Sequence, residues 1–344
     1  MGIGPHAHIG QCPKAADRVP VSPERSVMER RWIGRALAQE TARQALKEFP
    51  IKDVTTMYPV RYIHAADLHL DAAFRGLSRE ATSAGADVAR TLHRATFTAL
   101  ERLFRLCETE NPDFLVIAGD IYNQEDRSLK AQFALRDGCE RLAARGIRVF
   151  LAHGNHDPLS SRLRTLSWPE NVTVFGGQVE THPVLRDGAP VALVHGISHA
   201  AARESRNLAK AFHRARPEAF DSGKDGQDCF QLGVLHCTVE NVRHPERYAP
   251  CTLDDLRAAE LDAWALGHVH ERRILCEAPF IAYPGNIQGL HVNDPGPRGC
   301  LLITATPEAG QGFACNAVFH DLAPVRWETL EISVEGLSRP DAVE

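Results

Sequence analysis

The chain has 344 residues, 44% of them hydrophobic and 24% charged, enough for one large domain and something smaller. No apolar run approaches the ~20 residues of a membrane span, and the opening stretch MGIGPHAHIGQCPKAADRVP lacks the apolar core of a secretory signal. A net charge of −5 decides nothing about nucleic acid, because carboxylates that hold cations contribute to it, and nine dispersed cysteines without a C-x-x-C pair fit reduced thiols in a cytoplasmic protein.

Residues 1–58 read as a separate N-terminal extension. Within it, residues 27–49 carry a helical pattern with Ser26 as N-cap, Pro50 as stop and an apolar face of Met28, Trp32, Ala36 and Leu37. From residue 59 strands and helices alternate. A short buried strand is expected over 61–66, and a helix over 88–107 with apolar positions at Val88, Leu92, Ala95, Ala99, Leu103 and Leu106. A continuous apolar strand follows over 114–119, a second helix over 129–145 closed by Gly146, and a strand over 147–154. Such a β-α-β-α-β run implies parallel strands covered by helices. The later half is richer in strand: VTVFG, VALVHG, QLGVLH, AWALGH, RILCE, FIAYPG, CLLITA and NAVFHDL; residues 221–228 read as a surface loop. The expected fold is a two-sheet α/β sandwich over 59–322 with helices on its outer faces. Residues 323–344 are expected to form a separate C-terminal region.

Five short motifs each follow directly on an apolar strand: Asp67-Leu68-His69, Gly119-Asp120, Gly154-Asn155-His156-Asp157, His236 in VLHCT, and Gly267-His268-Val269-His270. Loops at the carboxyl ends of strands build the ligand sites of open α/β sheets. Five such loops would gather Asp67, His69, Asp120, Asn155, His236, His268 and His270. This donor set is all nitrogen and oxygen with no thiolate, which suits Mn, Fe or Zn at a reactive site. The D-x-H and H-x-H spacings put both side chains of an extended segment on one face. A phosphodiester is anionic and repels an anionic nucleophile; two cations ~3.5–4 Å apart overcome this. Cations that close need a bridging carboxylate, for which Asp120 is the natural choice, and Asn155 offers a ligand oxygen without charge. Singly each motif has a plainer reading as a turn or a surface histidine; it is their common position and order that point to metal. His64, His153, His195, His199 and His244 show no partner pattern and read as structural or surface residues.

The order D-x-H, GD, GNHD, H, GHxH resembles the calcineurin-like metallophosphoesterase superfamily over about residues 60–322. IHAADLHLD resembles the opening motif of its SbcD branch, the nuclease subunits of DNA double-strand-break repair. GDIYNQEDRSLKAQ, AYPGNIQGLHVNDPGPRGC and APVRWETLEI are similar to the YhaO-type exonucleases within that branch. The resemblance implies that Asp67, His69, Asp120 and His270 hold one metal, and that Asp120, Asn155, His236 and His268 hold the other, most often as Mn²⁺. It gives His156 a catalytic role on the phosphate, stabilising transition-state charge or protonating the leaving oxygen, with Asp157 fixing that loop. Many relatives carry Asp where this chain has Asn123; a carboxylate there would orient the catalytic histidine, whereas an amide orients without charge. The resemblance also implies a C-terminal capping domain, of which residues 323–344 are expected to be the start in a truncated form.

The implied activity is that of a DNA exo/endonuclease subunit working with an SMC/SbcC-like ATPase in the cytoplasm, at the nucleoid in a bacterium, with a homodimer among the assemblies allowed and no membrane partner. Arg127, Arg162, Arg164 and Arg298, in loops that follow or flank the motifs, are the candidates for DNA phosphate contacts. Two alternatives stand beside this reading. One is a small-substrate phosphoesterase or phosphatase using the same metals, and the other is a non-catalytic scaffold that binds DNA or an ATPase.

Overall fold

Short, wholly apolar segments dominate the first half, and they lie side by side. In the computed structural model, which describes residues 59–74, 86–123, 128–161, 166–215, 229–240, 246–308, 312–333 and 335, β1 (Val60–Ala65), β2 (Phe114–Ala118) and β3 (Arg148–Ala152) pair in parallel. Period-2 geometry sorts their side chains. Tyr62, Phe114 and Phe150 point to one face, and Ile63, Leu115, Val149 and Leu151 to the other. The second face is covered by α1 (Ala86–Glu110) and α2 (Leu129–Ala143), which lay Ala99, Leu103, Phe104 and Cys107 against Leu135, Cys139 and Leu142. Ser128 caps α2 by accepting from the Ala131 amide. The sheet is completed by β4 (Val172–Val174) on one side and by the long antiparallel pair β11 (Gly299–Glu308) and β12 (Gly312–Asp321) on the other, giving the order β12-β11-β1-β2-β3-β4.

A second six-stranded sheet packs on the Tyr62 face. Its order is β5-β6-β7-β8-β10-β9, from β5 (Glu180–Arg186), β6 (Ala189–Gly196), β7 (Phe230–His236), β8 (Ala263–Gly267), β9 (Arg273–Glu277) and β10 (Phe280–Tyr283). The four central strands are parallel, while β5 and β9 close the edges antiparallel. The inter-sheet core is aromatic: Tyr62 stacks on Phe114 at 5.1 Å and meets Phe230 of the opposite sheet at 5.8 Å. Both sheets are mixed, and the fold is the two-sheet α/β sandwich that the sequence predicts.

Several elements differ from expectation. β5 was not anticipated, because ETHPVLR contains Pro183, which is admissible only at a sheet edge, and β5 is an edge. Among the described residues, the pieces on the outer face of the second sheet are short: a 3-10 turn at Leu208–Ala211 and α3 (Leu253–Arg257), whose capping box joins Thr252 and Asp255. These bury Trp264, whose indole donates to the Leu256 carbonyl. The helix expected over 27–49 and the loop expected over 221–228 lie outside the described residues. After β12 the chain turns back onto residues 288–296 through Val325 and Trp327, then exposes Leu330 and Ile332. Among the described residues no helix is long and apolar enough to cross a membrane.

Candidate metal centre

Because β1, β2 and β3 run parallel in one sheet and β7 and β8 in the other, their carboxyl ends meet at one edge of the sandwich. Asp67 and His69 leave β1, Asp120 leaves β2, Asn155 follows β3, His236 ends β7, and His268 and His270 follow β8. The chain bends sharply there: Asp67, His69, Asp120 and His268 all have positive φ, at 52°, 41°, 49° and 100°. An L-residue in that region costs roughly 1–2 kcal/mol, and such strain gathers at working sites. Two motif glycines are required by close approach. A Cβ at Gly267 would stand 1.7 Å from the Ala118 carbonyl oxygen, and one at Gly154 would stand 2.2 Å from Asp120 Oδ1.

Two donor groups result. Ligating atoms of Asp67, His69 and His270 lie within 4.8 Å of one another, and so do those of Asp120, His236 and His268. Asp120 stands between the groups, its Oδ2 lying 3.3 Å from His236 Nε2 and 4.0 Å from His69 Nε2. Hydrogen bonds on the far side of each ring set the tautomers. His236 Nδ1 faces the Ala118 carbonyl at 2.9 Å, so its Nε2 lone pair is turned toward Asp120 and toward Asn155 Oδ1 at 3.0 Å. His69 Nδ1 faces Asn123 Oδ1 at 2.7 Å, which turns its Nε2 toward His270 Nε2, 3.1 Å away. His268 Nε2 lies 3.3 Å from the Glu246 carbonyl. Ring nitrogens and carboxylate and amide oxygens thus converge in a small buried space. Buried donor atoms in this arrangement call for cations, and the residues present fit two divalent ions with N/O ligands.

The burial and charge of the site act on its titratable groups. Burial disfavours a charged His236, yet the adjacent Asp120 carboxylate prevails and pushes the imidazole up to about 9. Burial likewise opposes charge on Asp120, but His236 holds its carboxyl well below the usual range. Burial raises Asp67 and pushes His69 down to about 4.

The walls are braced by backbone contacts. Asp157, 1% exposed, accepts from the Gly154 amide at 2.8 Å and the Ile121 amide at 3.0 Å, and sits 3.1 Å from His153 Nδ1. It therefore ties the Asn155 loop to the Asp120 loop and does not itself face solvent. Asp67 accepts from the His268 amide at 3.1 Å, and Asp120 from the His156 amide at 2.9 Å. The His156 ring is exposed at the mouth, edge-on to His69 at 5.0 Å.

Other sequence expectations fare variously. Asn123 touches the ligand candidate His69 rather than His156, so its amide orients a metal-side ring. Arg298 is not a rim cation: it is 7% exposed and its guanidinium donates to the carbonyls of His270 and Pro295, because the loop that carries it folds inward. Arg127, Arg162, Arg164 and His244 lie outside the described residues. His64, His153, His195 and His199 are buried and internally bonded; His64 Nε2 meets the Leu266 carbonyl across the two sheets. Sequence reasoning missed Asp294, 3.6 Å from His270 Nδ1, and Tyr248, whose ring lies edge-on to His268 at 5.3 Å. Asp294 sits in an Asn-Asp-Pro-Gly stretch that reads as an ordinary turn.

The curated relatives point the same way. The chain is 35% identical over 247 residues to a protein of Bacillus subtilis described as an uncharacterized metallophosphoesterase, YhaO; the match covers 71% of this chain and 57% of that one. It is 27% identical over 248 residues to the DNA double-strand break repair protein Mre11 of Aeropyrum pernix, covering 69% of this chain and 56% of that one. The chain thus spans little more than half the length of these relatives. A dimetal phosphatase structure from Danio rerio aligns at a TM-score of 0.38 and 14% identity, covering 76% of this chain and 99% of that one. The calcineurin-like phosphoesterase profile matches residues 60–272, which take in all five motifs, and the chain belongs to that family.

Proposed function

We propose that this chain is the catalytic part of a metal-dependent DNA nuclease, an exo- or endonuclease acting in repair beside an SMC-like ATPase. The observation that carries the hydrolase reading is the meeting of two N/O donor groups around Asp120. The nucleic-acid substrate is supported by the likeness to a relative named for double-strand break repair.

When bound, two divalent cations, taken as Mn²⁺ in this reading with Fe and Zn also suited to N/O donors, would supply Lewis-acid polarisation of the phosphoryl group and neutralise its charge. The remaining work belongs to the chain. Asp120 contributes one carboxylate to both donor groups, and Asn155 contributes a neutral oxygen that leaves the site cationic enough to attract a phosphodiester. The exposed imidazole of His156, which is not needed as a ligand, is placed to donate to a phosphate oxygen or to the leaving oxygen. Its backbone amide, bonded to Asp120, fixes it relative to the site. Arg127, Arg162 and Arg164 supply backbone phosphate contacts in this reading.

The test is a nuclease assay with Mn²⁺ on end-labelled single- and double-stranded DNA, with His156→Ala as control. Cleavage of linear DNA that is lost in the variant supports the proposal. Hydrolysis of bis-p-nitrophenyl phosphate without cleavage of DNA would favour a small-substrate phosphoesterase, and metal binding with neither activity would favour a scaffold.

A further inference from the structure

His270 is held differently from His236 and His69. His236 and His69 have their outer nitrogens turned to neutral partners, the Ala118 carbonyl and the Asn123 amide. His270 instead has the Asp294 carboxylate 3.6 Å from Nδ1. A carboxylate behind an imidazole favours the Nδ1–H tautomer, aims the Nε2 lone pair inward and makes it a stronger ligand. Here Nε2 is aimed at His69 Nε2.

Asp294 is itself fixed by the loop that carries it. Its second oxygen accepts from the Leu290 amide at 3.2 Å, and its own amide donates to the His291 carbonyl at 2.8 Å. The loop is clasped from outside by the segment after β12. The Trp327 indole donates to the Gly289 carbonyl at 3.0 Å, Gly296 donates to the Trp327 carbonyl at 2.8 Å, and the Gln288 amide donates to the Val325 carbonyl at 2.9 Å. A Cβ at Gly289 would stand 2.8 Å from the Asp294 carbonyl oxygen and 3.2 Å from Trp327 Cδ1, so loop and indole are in close contact. From inside, Arg298 joins the Pro295 carbonyl to the His270 carbonyl. A continuous set of contacts therefore runs from Trp327 through the loop to the His270 ring, and none of them involves His236 or His268.

We propose that Asp294 is a positioning residue for His270, and that the 288–298 loop clasped by Trp327 sets the cation affinity of the Asp67/His69/His270 group separately from that of the Asp120/His236/His268 group. The proposal rests on the two-cation reading of the site but not on the identity of the substrate. It also couples one cation to whatever chain follows Trp327.

The experiment is a Mn²⁺ titration of the full chain by calorimetry, with native mass spectrometry counting bound ions and no substrate present. The wild type is expected to show two binding steps. Asp294→Ala should weaken one step by about 10–100-fold, as loss of such a partner does elsewhere, and leave the other unchanged. The surviving step should be the one that His236→Ala removes. Asp294→Asn, which keeps an acceptor but no charge, should lose less at the same step, and Trp327→Ala should weaken that step too. Melting temperatures of the variants in EDTA report whether the fold holds; should Asp294→Ala fail to fold, Asp294→Asn carries the same comparison. Two unchanged steps in the Asp294 variants, or equal weakening of both, would overturn the proposal while leaving the two-cation centre standing. A wild type that binds no second Mn²⁺ would overturn both.

Discussion

Asp157 offers the sharpest separation of support from chemistry. Its carboxylate is buried and is the acceptor for two backbone N–H groups, those of Gly154 and Ile121, which flank Asn155 and Asp120. Replacing Asp157 with Ala leaves both amides buried without partners. Each such orphan costs about 1–3 kcal/mol, so the variant should lose roughly 2–6 kcal/mol of stability. The same loss releases the two loops from each other, so metal affinity should fall along with stability. Asp157→Asn keeps one acceptor oxygen but presents an NH₂ to the other amide, so it should fall between the two. Urea denaturation gives the stability, a Mn²⁺ titration gives the affinity, and hydrolysis of bis-p-nitrophenyl phosphate at saturating metal gives the chemistry. Loss of turnover in Asp157→Ala with stability and metal binding intact would refute the brace and make Asp157 a participant in the reaction.

Asp120→Ala should abolish activity and metal retention together, read by metal stoichiometry, since one carboxylate serves both donor groups; two ions retained with normal turnover would contradict that role. His156→Ala should keep both metals and lower turnover by roughly 10²–10⁴, the usual contribution of a positioned acid; loss of metal instead would make it a ligand. Gly267→Ala should unfold or severely destabilise the chain, because the new methyl would collide with the Ala118 carbonyl that also holds His236, and a normal urea midpoint would speak against the packing described. His195 is buried between Thr181 and Gln231, and burial pushes it down to about 4, below the ~6.5 of an unfolded histidine. The unfolded chain therefore binds the extra proton between those values. Stability from this residue is complete above about pH 6.5 and declines as pH falls toward 4, by up to roughly 3 kcal/mol. In urea melts with EDTA, His195→Gln should be less stable than wild type at neutral pH and should lose less of its stability on acidification; an unaltered pH slope would refute this.

What the sequence reveals here depends on how local the cause is. The strands that carry the site are legible because parallel strands buried on both faces read as unbroken apolar runs, as in FLVIA and AWALG, and each run ends on a ligand-type residue. The ligand candidates are legible for the same reason, since strand ends converge by topology. β5 is not, because Pro183 interrupts it and only its edge position makes the proline acceptable. Arg298 misleads because a charged residue in a polar loop reads as solvated, while the fold turns it onto the His270 carbonyl. Asp294 and Tyr248 could not be read at all. Their meaning lies in contacts with His270 and His268 that no spacing along the chain encodes.

The most direct measurement is anomalous diffraction from a crystal of the chain soaked in Mn²⁺. Two anomalous peaks ~3.5–4 Å apart are expected, one among Asp67, His69 and His270 and one among Asn155, His236 and His268, with Asp120 touching both. A single peak, or manganese bound away from these residues, would contradict the two-cation reading.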